Sequence, residues 1–137
     1  MKVFLDSSFL VAYVIDSDKQ HDKALKLEKE GIFENKCYIS NLIVNEIVTV
    51  IGNKIDLDLA IYSYYAFKDN FKTINEYEIS NFNDNVIDIY KENNTKLSFT
   101  DCSILETMKE HSIDNLVSFD KEFEKIKSIN IINNKRD

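Results

Sequence analysis

The chain has 137 residues, 44% of them apolar, which fits one domain with a buried core. There is no run of about 18 apolar residues and no clear signal peptide, so we expect a cytoplasmic protein that does not enter the membrane. A net charge of −7 and a single arginine, Arg136, argue against a strong electrostatic grip on nucleic acid by the bare monomer.

Short β-like runs alternate with longer helical runs along the chain. The pattern predicts strands at 2–5, 37–40, 72–74, 115–118 and 129–132. It predicts helices at 7–15, 19–30, from 41 through the apolar run LIVNEIVTVI, at 56–69, 80–93 and 99–111, and a short one at 120–127. This alternation indicates an α/β sandwich with a mainly parallel central sheet, formed by residues 1–132 as one domain and followed by a polar tail at 133–137.

The cysteines and histidines do not suggest a metal site. Cys37 and Cys102 lie far apart, form no CxxC pair and are expected to be free, partly buried thiols. His21 and His111 are isolated from each other and from both cysteines, so no zinc-ligand spacing is present. We expect His111 to be an exposed residue at a helix end, where it favours the helix dipole.

Acidic residues stand at the junctions where strands give way to helices. Asp6 ends the first predicted strand, Asp101 lies at the start of a helix after LSFT, and Asp120 follows the strand NLVSF. Glu46 lies inside a helix that is otherwise almost wholly apolar. In parallel sheets, functional sites gather at the carboxyl ends of the strands, so these four residues are candidates for one site.

Each acid also has a purely structural interpretation. Asp6 and Asp120 could be helix N-caps, and Asp101 could be the third helical residue after a Ser98 cap. Glu46 could belong to a solvent-facing strip with its neighbours Asn45 and Thr49. Their joint placement favours function, because clustered carboxylates repel one another without a cation and bind hard ions such as Mg²⁺ or Mn²⁺. A site of this kind can activate water for attack on a phosphodiester.

Four segments carry a resemblance to a known family. The chain resembles the PIN-domain ribonucleases, especially the VapC-like toxins of toxin–antitoxin pairs, through VFLDSSFLVAY, ISNLIVNEIVTV, LSFTDCSIL and LVSFDKEFEKI. The segments occur in the family's order with compatible spacing, and DSDKQHDKAL also matches a loop of the family. The resemblance implies a three-layer α/β/α fold with a sheet of four to five strands.

The resemblance also implies a chemistry. Asp6, Glu46, Asp101 and Asp120 would line one pocket that binds Mg²⁺ or Mn²⁺, with Asp6 and Asp101 as the principal ligands. Glu46 and Asp120 would bind through water, hold a second ion or position the attacking water. RNA would be cut to leave 5′-phosphate and 3′-hydroxyl ends. The hydroxyl groups expected to orient the acids are those of Ser7, Ser8, Thr100 and Ser118.

Partners follow from the same resemblance, which implies a homodimer silenced by an antitoxin. Segment 56–94 is rich in aromatic side chains, which are enriched in protein interfaces, although ordinary core packing also accounts for them. Two interpretations of Ile61, Tyr62, Tyr64, Tyr65 and Phe67 therefore stay open: core packing, and a surface for self-association or for the antitoxin.

Other classes fit less well. A haloacid-dehalogenase-like phosphotransferase needs a second aspartate two residues after Asp6, but Ser8 is there. A response-regulator receiver needs an early pair of acids, which is missing, although Lys121 follows a late strand. The remaining alternative is a non-catalytic or RNA-processing PIN-like scaffold that binds RNA or protein.

Overall fold

The computed structural model describes residues 1–94 and 96–133. Its centre is one sheet of five strands: β1 (Lys2–Leu5), β2 (Lys36–Ser40), β3 (Lys72–Ile74), β4 (Asn115–Val117) and β5 (Asn130–Ile132). The spatial order is β3-β2-β1-β4-β5, and every neighbouring pair is parallel. The prediction of a mainly parallel sheet with four to five strands is confirmed.

The described residues form six α-helices: α1 (Ser7–Val14), α2 (His21–Lys29), α3 (Asn41–Lys54), α4 (Leu57–Asn70), α5 (Phe82–Glu92) and α6 (Phe99–Glu110). They correspond to the predicted helices, with ends that differ by a few residues. The short helix predicted at 120–127 is instead a 3₁₀ helix at Lys121–Lys125, and the 3₁₀ helices Ile32–Glu34 and Glu76–Glu78 were not predicted. Such short turns carry no hydrophobic period. Of the predicted tail, residues 134–137 lie outside the described part of the chain.

The strand order places helices on both faces of the sheet. The chain steps from β1 to β2 to β3 in one direction and then crosses back past β1 to β4. Because parallel crossovers are almost always right-handed, steps in opposite directions put their helices on opposite faces. The packing agrees, since α1, α2, α3 and α4 contact one another and α5 pairs with α6. This is the predicted three-layer arrangement.

The helix α3 buries one stripe against the sheet. Ile43, Ile47 and Ile51 recur every four residues and are almost completely inaccessible. Glu46, three residues after Ile43 and directly before Ile47, borders this stripe and is exposed. The apolar character of the helix thus explains its docking and leaves Glu46 available for another role.

A buried carboxylate that sequence reasoning missed fixes the start of α3. Glu76 is fully buried, and its Oε1 and Oε2 accept hydrogen bonds from the backbone N–H groups of Asn41 and Leu42, each at 3.0 Å. The first N–H groups of a helix have no intrahelical partner and carry partial positive charge, so a carboxylate there is stabilising. Glu76 therefore anchors the helix that presents Glu46 about one turn later.

The two cysteines are free, as predicted, and are buried rather than partly buried. His111 ends α6, where its ring Nδ1 lies 3.0 Å from the Thr107 carbonyl oxygen, and it is half-buried rather than exposed. Within residues 1–94 and 96–133, no helix has both the length and the apolarity needed to cross a bilayer.

Candidate active site

The candidate site lies at the point where the strand order reverses. From the adjacent strands β1 and β4 the chain proceeds outward in opposite directions, which opens a crevice at their carboxyl ends. Asp6 follows β1, and Ser118 and Asp120 follow β4. The backbone N–H of Asp6 donates to the Val117 carbonyl at 3.0 Å, so the two strand ends are joined directly. The fold thus brings the first and last predicted acids together.

Asp6 is the buried centre of the site. Its side chain is 4% exposed, and its Oδ2 accepts hydrogen bonds from the hydroxyls of Ser8 and Ser118, each at 2.7 Å. Asp6 occupies the N-cap position of α1, but its side chain makes no capping hydrogen bond. Asp6 therefore stands at the N-cap position, but its carboxylate does not cap the helix and instead accepts from the two serines.

The environment of Asp6 disfavours its negative charge. Burial raises the pKa of Asp6 from 3.8 to about 6. Hydrogen bonds from Ser8 and Ser118 oppose this rise, while the nearby charges of Asp101 and Glu46 add to it. A cation beside Asp6 would reverse the balance, because it stabilises the ionised carboxylate.

Glu46 is exposed and approaches the site from α3. The Ser7 hydroxyl donates a short hydrogen bond to its Oε1. Asn45 and Thr49 are exposed as well, so the predicted polar strip exists. They line a hollow with Tyr64, however, whereas Glu46 lines a different hollow with Ser7 and Asp120. The three residues of the strip therefore face two different hollows, with Asn45 and Thr49 in one and Glu46 in the other.

Asp101 combines a structural role with a place in the cluster. It closes a capping box: its N–H donates to Ser98 Oγ at 3.0 Å, and its Oδ2 accepts from the Ser98 N–H at 3.3 Å. Burial raises the pKa of Asp101, the backbone hydrogen bond from Ser98 lowers it, and the charges of Asp120 and Glu46 raise it further. The capping interpretation is confirmed, yet the same carboxylate lies in the field of two other acids.

Asp120 is also a cap. Its Oδ1 accepts from the Glu122 N–H at 3.0 Å, at the start of the 3₁₀ helix. Its own N–H donates to Ser118 Oγ at 3.0 Å, so one serine contacts both Asp6 and Asp120. Ser118 thereby sets the position of Asp120 relative to the buried carboxylate.

Three of the four hydroxyl groups predicted to orient the acids form hydrogen bonds with them. Ser7 donates to Glu46, and Ser8 and Ser118 donate to Asp6. In the described part of the chain, the Thr100 side chain forms no hydrogen bond with any of the acids; its carbonyl accepts from Ser103 Oγ. Ser7, Ser8 and Ser118 are therefore the groups that orient the acids in this structure.

The four acids share one electrostatic field without converging on a point. Asp6 is affected by Asp101 and Glu46, and Asp101 is affected by Asp120. In residues 1–94 and 96–133, no three His, Cys, Asp or Glu side chains are arranged so that they could hold a metal ion as they stand. As a donor set, carboxylates around one crevice fit a hard divalent cation. Both hydroxyl hydrogen bonds fall on Oδ2 of Asp6, which leaves Oδ1 available to a ligand.

A hollow of about 680 Å³ opens beside these acids, and we call it the main hollow. Ser8, Glu46 and Asp120 line one part of it, and Lys19 and Lys54 line another. Sequence reasoning missed both lysines. A signal for Lys54 was present, because Glu46, Val50 and Lys54 recur every four residues and all line the main hollow. Lys19 lies in the loop between α1 and α2, where no periodic pattern identifies it.

The family follows from a sequence comparison. The model of the PIN domain matches residues 3–129, so this chain belongs to the PIN-domain family. A comparison with curated proteins gave no match.

Solved structures share the fold across nearly the whole chain. VapC20 of Mycobacterium tuberculosis, described as a sarcin–ricin loop cleaving toxin, is 17% identical with a TM-score of 0.78, covering 91% of this chain and 95% of that one. A toxin–antitoxin complex from Klebsiella pneumoniae is 16% identical with a TM-score of 0.68, covering 95% of each chain. VapBC2 of Rickettsia felis, bound to a promoter DNA fragment, is 13% identical with a TM-score of 0.70, covering 96% and 98%. The structural neighbours are thus VapC toxins.

Proposed function

We propose that this protein is an endoribonuclease that depends on Mg²⁺ or Mn²⁺ and acts as the toxin of a toxin–antitoxin pair in the cytoplasm. The observation that carries the proposal is the buried Asp6 carboxylate at the strand-order reversal, electrostatically coupled to Asp101 and Glu46. Membership of the PIN family supports a nuclease, and the likeness to VapC toxins supports the toxin role.

In this proposal, Asp6 and Asp101 would be the principal ligands of the ion, with Glu46 and Asp120 completing the site. The bound ion would supply a lowered pKa for the attacking water and charge neutralisation at the phosphate. Ser8 and Ser118 donate to Oδ2 of Asp6, so Oδ1 is the oxygen with which Asp6 would hold the ion. Each of the four acids keeps at least one hydrogen bond that fixes its orientation.

In hydrolysis, Glu46 would position the attacking water. Ser7 donates to its Oε1, which leaves Oε2 to accept a hydrogen bond from the attacking water. The water oxygen forms a new bond to phosphorus, and the bond from phosphorus to the 3′-oxygen breaks in line with it. Glu46 takes the proton that the water gives up, and the departing 3′-oxygen takes a proton from solvent, so the products are a 5′-phosphate and a 3′-hydroxyl. The exposed position of Glu46 suits it to contact solvent and substrate.

The proposal is tested by incubating the purified protein with a mixed pool of structured RNAs. We expect cuts with Mg²⁺ or Mn²⁺, no cuts with EDTA, and products that carry 5′-phosphates, read by 5′-phosphate-dependent exonuclease digestion. Cleavage that continues in EDTA would point to a contaminant or another mechanism. RNA binding without cleavage under every condition would favour the non-catalytic scaffold.

The proposal extends to protein partners through α4. Tyr62 is 72% exposed and Tyr65 is 56% exposed, and they line different hollows, whereas Phe67 is buried and belongs to the core. An apolar groove of about 560 Å³ includes Tyr13, Phe33, Tyr62 and Phe71. We assign this groove to the antitoxin and the Tyr65 side of α4 to a second copy of the chain. Exposed aromatic side chains in apolar hollows are typical anchors of protein interfaces.

Two variants test the dimer surface and the antitoxin groove separately. Tyr65→Glu should convert a dimer into a monomer, as measured by light scattering, while Tyr62→Glu should leave the mass unchanged. Tyr62→Glu should abolish co-purification with the antitoxin, because a charge buried in an apolar groove is costly. If Tyr62→Glu broke the dimer and Tyr65→Glu blocked antitoxin binding, the two surfaces would have to be exchanged. If neither variant had an effect, both assignments would be rejected.

A further inference from the structure

Two neighbouring hollows meet at one aromatic side chain. The main hollow and a smaller one of about 50 Å³ share Phe119 and Gln20 in their linings. Lys19 and Lys54 line the main hollow, and Lys23 and Lys121 line the smaller one. Exposed cationic groups therefore lie on both sides of Phe119, directly beside the acidic cluster.

These lysines are available to a ligand. All four are exposed, and the ion pair found within the described residues joins two other side chains, Lys125 and Glu122. Asp18 also lines the main hollow, but its Oδ1 accepts the Gln20 N–H at 2.8 Å. Four acids, Asp18, Glu46, Asp120 and Glu124, line the same two hollows, so lysines and acids are equal in number there, whereas the chain as a whole has a net charge of −7. Phosphates are the anions that such lysines attract.

The ring of Phe119 is held in a fixed relation to the acids. It lies in the chain between Ser118, which contacts Asp6, and Asp120. Its backbone N–H donates to Ser8 Oγ at 3.0 Å, and its ring packs edge-on against Phe9 at a centroid distance of 6.0 Å. The side chain is half-buried, so part of the ring remains open to the two hollows. A core phenylalanine would be covered on all sides, as Phe123 is.

We propose that a single-stranded RNA segment crosses Phe119, which stacks on a base next to the scissile phosphate, and that lysines on either side hold the flanking phosphates. This inference rests on the proposed ribonuclease function and assigns to Phe119 the positioning of an unpaired base beside the scissile phosphate. Stacking on an aromatic ring requires a base with an open face, which a duplex does not offer. Lys19 and Lys54 contact phosphates on the main-hollow side, and Lys23 and Lys121 contact those on the other.

The test measures binding apart from cleavage. The full chain carrying Asp101→Asn is titrated in Mg²⁺ with a fluorescent single strand of about 12 nucleotides, and with the same sequence as a duplex. We expect at least about tenfold tighter binding of the single strand. Adding Phe119→Leu should weaken single-strand binding roughly 5- to 150-fold, whereas Phe119→Tyr, which keeps the ring, should bind like the parent. Tyr77→Leu, at an exposed aromatic far along the chain, is the matched control.

The lysines are tested by the salt dependence of the same titration. Lys19→Gln with Lys54→Gln should reduce the slope of log affinity against log salt by about 1.4, at about 0.7 per phosphate contact. Lys91→Gln with Lys109→Gln, in the last turns of α5 and α6, should leave the slope unchanged. Duplex bound as tightly as single strand, or full affinity in a folded Phe119→Leu protein, would overturn the inference. Selective single-strand binding that depends on Phe119, by a protein that cleaves nothing, would uphold the stacking and the phosphate contacts and reject only the nuclease function.

Discussion

Asp6→Asn and Asp101→Asn should each reduce metal-dependent RNA cleavage by at least about 100-fold, because even the outer partners of metal ligands contribute 10- to 100-fold. Both substitutions remove a charge and keep the shape. The amide oxygen of an asparagine at position 6 can still accept from Ser8 and Ser118, and at position 101 it can still accept from the Ser98 N–H. The fold should therefore survive, and initial cleavage rates at saturating Mg²⁺ measure the loss.

A matched control separates this effect from a general loss of negative charge. Asp58→Asn makes the same chemical change on the exposed first turn of α4 and should cleave at the parental rate. Circular dichroism of all three variants checks that they are folded. Undiminished cleavage by both Asp6→Asn and Asp101→Asn would remove the basis of the proposed site, whatever the family of the chain.

The fold was largely predictable because its signals are local and repeated. Each strand is a short apolar run and each helix is longer and periodic, so their alternation predicts a parallel sheet. The order of the strands was not predictable in the same way, since it depends on which crossovers step outward and which cross back. The 3₁₀ helix at Lys121–Lys125 was predicted as an ordinary short helix because a few residues cannot distinguish the two.

The residues of the candidate site were predictable from the sequence, but the contacts that each of them makes were not. The sequence offered capping or ligation for Asp101 as alternatives, whereas the structure shows the cap together with coupling to neighbouring acids. For Asp6, the N-cap position is occupied without a side-chain cap, because Ser8 and Ser118 draw the carboxylate into the crevice. Ser118 is 112 residues away in sequence, and only the adjacency of β1 and β4 brings it there.

Other features could not be read from the sequence because they join distant segments. Glu76 looks like an ordinary surface acid of a polar stretch, yet it is fully buried against the start of α3, where it accepts from the N–H of Leu42, 34 residues earlier in the chain. Lys19, just before α2, and Lys23, in its first turn, look like ordinary solvated lysines in the sequence, and only the structure places Phe119 in the lining of both their hollows. Contacts of this kind carry no local pattern, so tertiary structure alone reveals them.

Metal-free unfolding should show a loss of stability as pH rises through the titration of Asp6. A carboxyl whose pKa is about 6 when folded and near 3.8 when unfolded is protonated in both states below about pH 4. Between these two values the folded state retains the proton that the unfolded state releases, so raising the pH destabilises the fold. The full difference corresponds to about 3 kcal/mol above about pH 6, and Asp6 is buried enough for solvent screening to be small.

Asp6→Asn isolates this contribution, because the asparagine does not titrate. Urea unfolding of both proteins from about pH 4 to pH 8 in EDTA should show that the variant gains stability relative to the parent as pH rises, by up to about 3 kcal/mol. Adding Mg²⁺ at about 100 times its dissociation constant should stabilise the parent by about 2.7 kcal/mol at pH 7 and the variant far less. A stability difference independent of pH would contradict the burial cost assigned to Asp6. Equal stabilisation of both proteins by Mg²⁺ would show that the ion binds elsewhere, because a carboxylate ligand that is neutralised cannot hold it as before.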